Sequence, residues 1–117
     1  MREVIAGSLA PSQAMLSTAM PALHLLAAGS PGKANGALSS EAIAWLVAWL
    51  RERHDAILID GPCVDNLADL AVVAPSADGI YLVLPQGETD AVSKGVAQSI
   101  ARMGGRLRGL IHTHFEN

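Results

Sequence analysis

Apolar residues recur with helical spacing over residues 39–54, SSEAIAWLVAWLRERH. One stripe at i, i+3, i+4 and i+7 consists of Ile43, Leu46, Val47 and Leu50. Ser39 or Ser40 can cap the first turn, and the arginines near the end suit the negative pole of the helix dipole. The pattern predicts a helix that packs this stripe against a sheet.

Three apolar runs alternate with helical segments in the second half of the chain. The runs are 56–60 (AILID), 78–85 (DGIYLVLP) and 107–113 (LRGLIHT). Between them, Asp65 or Asn66 can cap a short helix that ends before Pro75, and Thr89 or Asp90 can cap a longer one. The stripe of the longer helix is Val92, Val96, Ile100 and Met103, and Gly104-Gly105 ends it. Strands alternating with helices predict an α/β fold, a layered parallel sheet with helices on both faces.

The first third of the chain is weakly patterned. A helical turn is expected over 12–16 after Pro11, and ALHLLAAG, residues 22–29, is a short apolar run closed by a glycine. Its length and its flanking residues favour a strand of about five residues.

Composition limits the classes of protein to consider. The 117 residues are 50% hydrophobic, enough for one globular core, so a single domain over 1–117 is expected. The net charge of -3 and the scattered basic residues argue against nucleic-acid binding. The single cysteine, Cys63, fits a reducing compartment, and no apolar run approaches the roughly 18 residues of a spanning helix. A cytoplasmic location is the expectation.

The run AILID ends in an acid, Asp60. Ligand crevices in open α/β sheets lie outside the carboxyl ends of the strands, where Asp60 is expected. A carboxylate there can hold Mg²⁺, which keeps several waters and binds through one or two carboxylates and substrate phosphates. The alternative is that Asp60 only caps the next turn.

Taken in order, these segments resemble a family. The family is the deviant-Walker P-loop ATPases, and within it the cytoplasmic domains of bacterial tyrosine kinases of capsule and exopolysaccharide synthesis. Members of this family have, in order along the chain, an apolar strand, Asp, a proline turn, a short helix, the sequence ADG and a second apolar strand. The matching stretches here are ILIDGPCV, LADLAVVAPSADGIYLVL and GGRLRGLI, preceded by REVIAGSLAPSQAM, LHLLAAG and SSEAIAWLVAWLRERHD. The resemblance implies an incomplete P-loop NTPase-like, Rossmann-like fold that covers the part from the Walker B acid onward.

The departures from that family concern catalysis. No G-x-x-x-x-G-K-[ST] loop occurs in the sequence, so the residues that cradle phosphates are absent. Gly61 stands where the family has a hydroxyl residue, Cys63 replaces the second proline, and Thr113 stands where it often has an asparagine. The only tyrosine, Tyr81, lies within a predicted strand rather than in a tyrosine-rich tail.

The resemblance also implies which residues contact a nucleotide and which cofactors bind. Nucleotide contacts fall on Asp60, Gly61, Pro62 and Thr113, with Asp60 as the Mg²⁺ ligand, and no residue of this chain is expected to be catalytic. ATP and Mg²⁺ are expected to bind only if the missing phosphate-binding half is supplied. The chain by itself is expected to be inactive.

Two functional interpretations follow, and a third is weaker. The chain is part of an ATPase or tyrosine kinase, or it is a non-catalytic interaction module that associates with itself or with a membrane-embedded polysaccharide export protein. The third interpretation places it among ATPases that position chromosomes or division sites. Trp45 and Trp49, four residues apart and off the predicted stripe, either widen a core face or form a surface for self-association.

Two further groups of residues concern metal binding and thiol chemistry. His112 and His114 are two residues apart at the end of the last predicted strand, so both would lie on one face of the sheet as possible metal ligands. Terminal histidines are more often simply solvated. Cys63 lacks a fixed partner in the sequence that would make it a nucleophile.

Overall fold

A computed structural model of the protein describes residues 1–29, 38–63, 66–85 and 90–113. Its contacts group the chain into two units, Met1–Asp55 and Ala56–Asn117. Each unit has its own secondary structure and buried residues, and the two are described separately below. The expectation of one domain over 1–117 stays a prediction.

The described residues of the first unit form three helices and a two-stranded sheet. In chain order these are α1 (Arg2–Ile5), α2 (Pro11–Ala14), β1 (Met15–Ser17), β2 (His24–Leu26) and α3 (Ser40–Arg51). The strands β1 and β2 are antiparallel and pair Leu16 with Leu25.

Helix α3 confirms the helix predicted over this stretch, and it packs against a helix, α1, where a sheet was expected. Ser39 caps it, since its Oγ accepts a hydrogen bond of 3.2 Å from the amide of Ala42. The predicted stripe faces inward, with Ile43, Leu46 and Val47 buried and Leu50 half-buried. Val4 of α1 is also buried, and α1 contacts α3. The core of the first unit therefore lies between these two helices.

The predictions for 12–16 and 22–29 were only partly correct. The helix stops at Ala14 and the chain continues as β1, while the strand predicted within 22–29 is limited to β2. Thr18 explains the hairpin, because its Oγ1 accepts from the amide of Met20 at 3.1 Å and lies 2.9 Å from the carbonyl oxygen of Leu23. A hydroxyl that bonds to nearby backbone groups stabilises a turn. This turn brings β2 beside β1 as an antiparallel neighbour.

From residue 67 onward the second unit has the predicted alternation of helices and strands. It consists of α4 (Leu67–Val73), a 3₁₀ turn (Ala74–Ser76), β3 (Ile80–Pro85), α5 (Asp90–Arg102) and β4 (Leu107–Thr113). The strands β3 and β4 run parallel, as expected for two strands joined through a helix. Asn66 caps α4 by accepting from the amide of Asp69 at 3.4 Å. Of the two residues proposed to cap α5, Thr89 lies outside the described residues, and Asp90 is the first residue of the helix. The protein is thus an α/β protein with a parallel strand pair.

The core of the second unit lies where the end of α5 meets the strands. Its buried residues are Ala74, Leu82, Leu84 and Ile100. Gly104, with φ +81°, ends α5 as predicted, and the amide of Gly105 donates to the carbonyl oxygen of Ile100 at 3.0 Å. A Cβ at Gly105 would lie 2.9 Å from the Ile100 Cγ2 atom, so the turn passes close over the core.

The prediction of a buried strand over 56–60 was wrong. These residues form no strand among the described residues, and Leu58 is 97% exposed. An apolar run becomes a strand only when its backbone groups can form hydrogen bonds with a neighbouring strand. In the described part of the chain β3 and β4 pair only with each other, so residues 56–60 have no strand partner. The apolar sequence alone could not show that this neighbour was missing.

The prediction of helices on both sheet faces was also wrong for β3. Exposure alternates along this strand: Leu82 and Leu84 are buried, whereas Tyr81 and Val83 are 62% and 57% exposed. Such alternation marks a sheet with one covered face.

Candidate functional site

Three of the four predicted nucleotide-binding residues lie in an irregular segment. Asp60 and Gly61 are exposed and Pro62 is half-buried, within residues 56–63, where no helix or strand forms. Gly61 has open space around it. In the described part of the chain, Asp60 has no hydrogen bond or ion pair. No hydrogen bond there supports the alternative that Asp60 caps a neighbouring turn.

Thr113 lies at the carboxyl end of β4, in register with Pro85 at the end of β3. It is half-buried, and its Oγ1 donates to the carbonyl oxygen of Leu84 at 3.4 Å. The two strands therefore finish level at one sheet edge, which is where ligands bind in open parallel sheets. Within the described residues no hydrogen bond links Thr113 with 60–62, and the nucleotide role of all four positions stays a prediction.

The described residues contain no group of three or more His, Cys, Asp or Glu side chains placed to hold a metal ion. Asp60 offers one carboxylate, which Mg²⁺ can use only together with water and substrate oxygens. His112 is exposed on β4, whereas His114 lies outside the described residues. Cys63 is an exposed free thiol, and its carbonyl oxygen accepts from the amide of Asn66 at 2.9 Å.

An apolar surface that the sequence did not reveal lies on the β3–β4 sheet. Register partners in a sheet share a face, so Val83 and Ile111 stand side by side, and Tyr81 stands beside Gly109. Tyr81, Val83 and Ile111 are all exposed, and we call these three residues the open sheet face. The run 80–84 is apolar at every position, so its sequence cannot show which side is covered.

The two tryptophans of α3 differ in their surroundings. Trp45 is 52% exposed. Trp49 is half-buried, and the guanidinium carbon of Arg53 lies 4.2 Å from the centroid of its ring, which is a cation–π contact. The guanidinium also donates to the Trp49 carbonyl oxygen and to Glu52, both at 2.9 Å. Trp45 is thus the tryptophan with the larger free surface.

Comparison with protein-family models, with curated proteins and with solved structures found no match. None of the helices in the described part of the chain has the length and apolar character needed to cross a membrane.

Proposed function

We propose that this chain is a non-catalytic interaction module that associates with a second copy of itself. In this proposal, residues 56–60 of one copy pair with the free edge of β3 in the other. The observation that carries the proposal is Leu58, a leucine 97% exposed in an apolar segment without a strand partner.

The unpaired backbone of the second unit supports strand addition. In the described residues β3 pairs with β4 only, so one edge of each strand is open. Open edges are templates for pairing with another chain. Residues 56–60 can add to such an edge as a strand, because Ile57 and Ile59 are β-branched residues that favour strands and Leu58 is apolar. Because each copy offers both a segment and an edge, the exchange can be reciprocal and closed, as in a symmetric dimer.

Burial of apolar surface would supply the favourable energy. Burying a leucine side chain contributes about 1.5–3 kcal/mol relative to leaving it exposed. Ile59, which is also exposed, and the open sheet face extend the apolar area near this unit's strands. Trp45 offers a further apolar contact on the first unit.

Sedimentation equilibrium over a concentration series tests the proposal. The unaltered chain should form dimers, and Leu58→Ser should raise the dimer dissociation constant at least about tenfold, which corresponds to about 1.4 kcal/mol. Hydrogen exchange should show that the amides of 56–60 gain protection as the dimer forms. Leu23→Ser removes another exposed leucine, which lies in the first unit, and should leave the dissociation constant unchanged. A chain that stays monomeric, or a dimer that Leu58→Ser does not weaken, contradicts the proposal.

A second candidate function is a partial or degenerate nucleotide-binding domain, like that of the tyrosine kinases regulating exopolysaccharide synthesis. The parallel order β3, α5, β4, with Thr113 at the shared carboxyl edge, supports it. In that case Asp60 would hold Mg²⁺ through water, and phosphate contacts would come from a segment this sequence lacks. Such a domain would act in the cytoplasm beside a membrane-embedded polysaccharide export protein.

Calorimetry with Mg-ATP, together with the upstream reading frame, tests the second candidate. The chain alone should show no tight binding, because it lacks a phosphate-binding loop. If the genomic reading frame upstream of Met1 encodes a G-x-x-x-x-G-K-[ST] loop, the extended chain should bind Mg-ATP, and Asp60→Asn should weaken that binding. A stop codon directly upstream would count against this second candidate.

A further inference from the structure

Two histidines that are distant in the sequence meet in the first unit. His24 lies on β2, and His54 lies just after α3. Their ring centroids are 5.5 Å apart, and the ring planes meet at 78°. His24 is exposed and His54 is half-buried, so solvent and small ions can reach the pair.

The surroundings of His54 determine which ring nitrogen carries the proton. Its Nδ1 lies 3.2 Å from the carbonyl oxygen of Leu50, in the last turn of α3. A carbonyl oxygen only accepts, so this hydrogen bond requires Nδ1 to be the donor. The neutral ring then presents the lone pair of Nε2. Metal-binding histidines are commonly held in this way, with the second ring nitrogen donating to a backbone carbonyl.

The separation of the two rings fits a shared ion. Imidazole nitrogens bind zinc at about 2.0–2.1 Å, which places the centroids of two rings on one tetrahedral ion about 5 Å apart. The observed centroid separation of 5.5 Å is close to this spacing.

We propose that His24 and His54 form a binding site for a divalent transition-metal ion of the zinc class. Imidazole nitrogen suits such ions, whereas Mg²⁺ and Ca²⁺ require oxygen ligands. Water completes the coordination, because no third His, Cys, Asp or Glu joins the pair among the described residues. The bound ion links the end of α3 to the β1–β2 hairpin and stabilises the first unit, since it binds the folded form.

Isothermal titration of the tag-free chain with ZnCl₂ tests the site. We expect one Zn²⁺ per chain, and we expect His24→Gln and His54→Gln each to weaken binding at least about tenfold. His112→Gln is the matched control, because His112 is an exposed histidine of the other unit, and it should leave the affinity unchanged. The double variant His24→Gln/His54→Gln should show no saturable Zn²⁺ binding, because no protein ligand of the site then remains.

Nitrogen NMR of the imidazole rings supplies a readout that does not depend on folding of a variant. On addition of Zn²⁺ the Nε2 resonance of His54 should shift, while Nδ1 keeps its proton and its bond to Leu50. Absence of saturable Zn²⁺ binding, binding that survives the loss of both histidines, or Nδ1 as the coordinating atom would each overturn the proposal.

Discussion

The β1–β2 hairpin and the β3–β4 pair differ in length, in direction and in the part of the chain that joins their strands. The hairpin has three-residue antiparallel strands joined by a short turn. The other pair has longer parallel strands joined through α5. Apolar side chains of the hairpin, such as Leu16 and Leu25, are mostly exposed, whereas Leu82 and Leu84 of β3 are buried.

This contrast shows where each strand pair obtains its stability. The hairpin depends on local backbone geometry and on the hydroxyl of Thr18, because its strands bury little apolar surface. The parallel pair depends on packing against Ile100 and Ala74, residues supplied by the helical segments around it. Substitutions in the turn should therefore weaken the first pair, and substitutions in the core should weaken the second.

The largest expected effect comes from matched core truncations in the two units. Ile100 is 1% exposed, and Ile43 is 4% exposed. Ile100→Ala should destabilise the second unit by about 4 kcal/mol, and Ile43→Ala should destabilise the first by about 2 kcal/mol. The cost at Ile43 is smaller because α1, a single turn, can move into part of the cavity.

Hydrogen exchange resolved by unit, combined with urea unfolding, measures these losses. Each substitution should lower protection mainly within its own unit. Equal loss of protection throughout both units after either change would show that the two units unfold together and that the two strand pairs do not have separate sources of stability.

A smaller effect is expected from Thr18→Val, which preserves side-chain shape and removes the hydroxyl. Loss of this turn hydrogen bond should cost the first unit about 1 kcal/mol. Serine at this position restores a hydroxyl and should recover most of the stability. Urea unfolding monitored by tryptophan fluorescence suits the measurement, because Trp45 and Trp49 both belong to α3. No difference between the valine and serine variants would mean that the hydroxyl does not stabilise the hairpin.

The smallest expected effect is the pH dependence of the first unit around its amino terminus. Partial burial lowers the pKa of the Met1 amino group from its usual 8.0, and the Glu3 carboxylate, 3.9 Å away, opposes this shift. The folded state then binds fewer protons than the unfolded state between the lowered pKa and pH 8. Stability should therefore rise slightly as the pH increases through that window and then level off.

Urea midpoints measured between pH 6.5 and 8.5 test this dependence, with an N-terminally acetylated chain as the control. Acetylation removes the titrating amine, so the rise should disappear from the acetylated chain. A rise of equal size in both chains would assign the pH dependence to another group.

The candidate nucleotide site shows how far sequence reasoning could reach. The sequence placed Thr113 at the carboxyl end of a strand, and the structure confirms that position. It placed Asp60 at the end of a buried strand, and the structure instead has an exposed, irregular segment there. Thr113 was predictable because α5 and β4 are set by local patterns, whereas Asp60 depended on a neighbouring strand that no local pattern specifies.

The sequence by itself determined the helices α3, α4 and α5, the caps of α3 and α4 and the strands β3 and β4, because helix periodicity, capping residues and glycine stops act over a few neighbouring residues. Only the tertiary structure decided that 56–60 stays unpaired, that one face of β3 is open, and that His24 meets His54. These features depend on which distant segments come into contact. The spacing of residues along the sequence does not specify contacts between residues that are far apart in the chain.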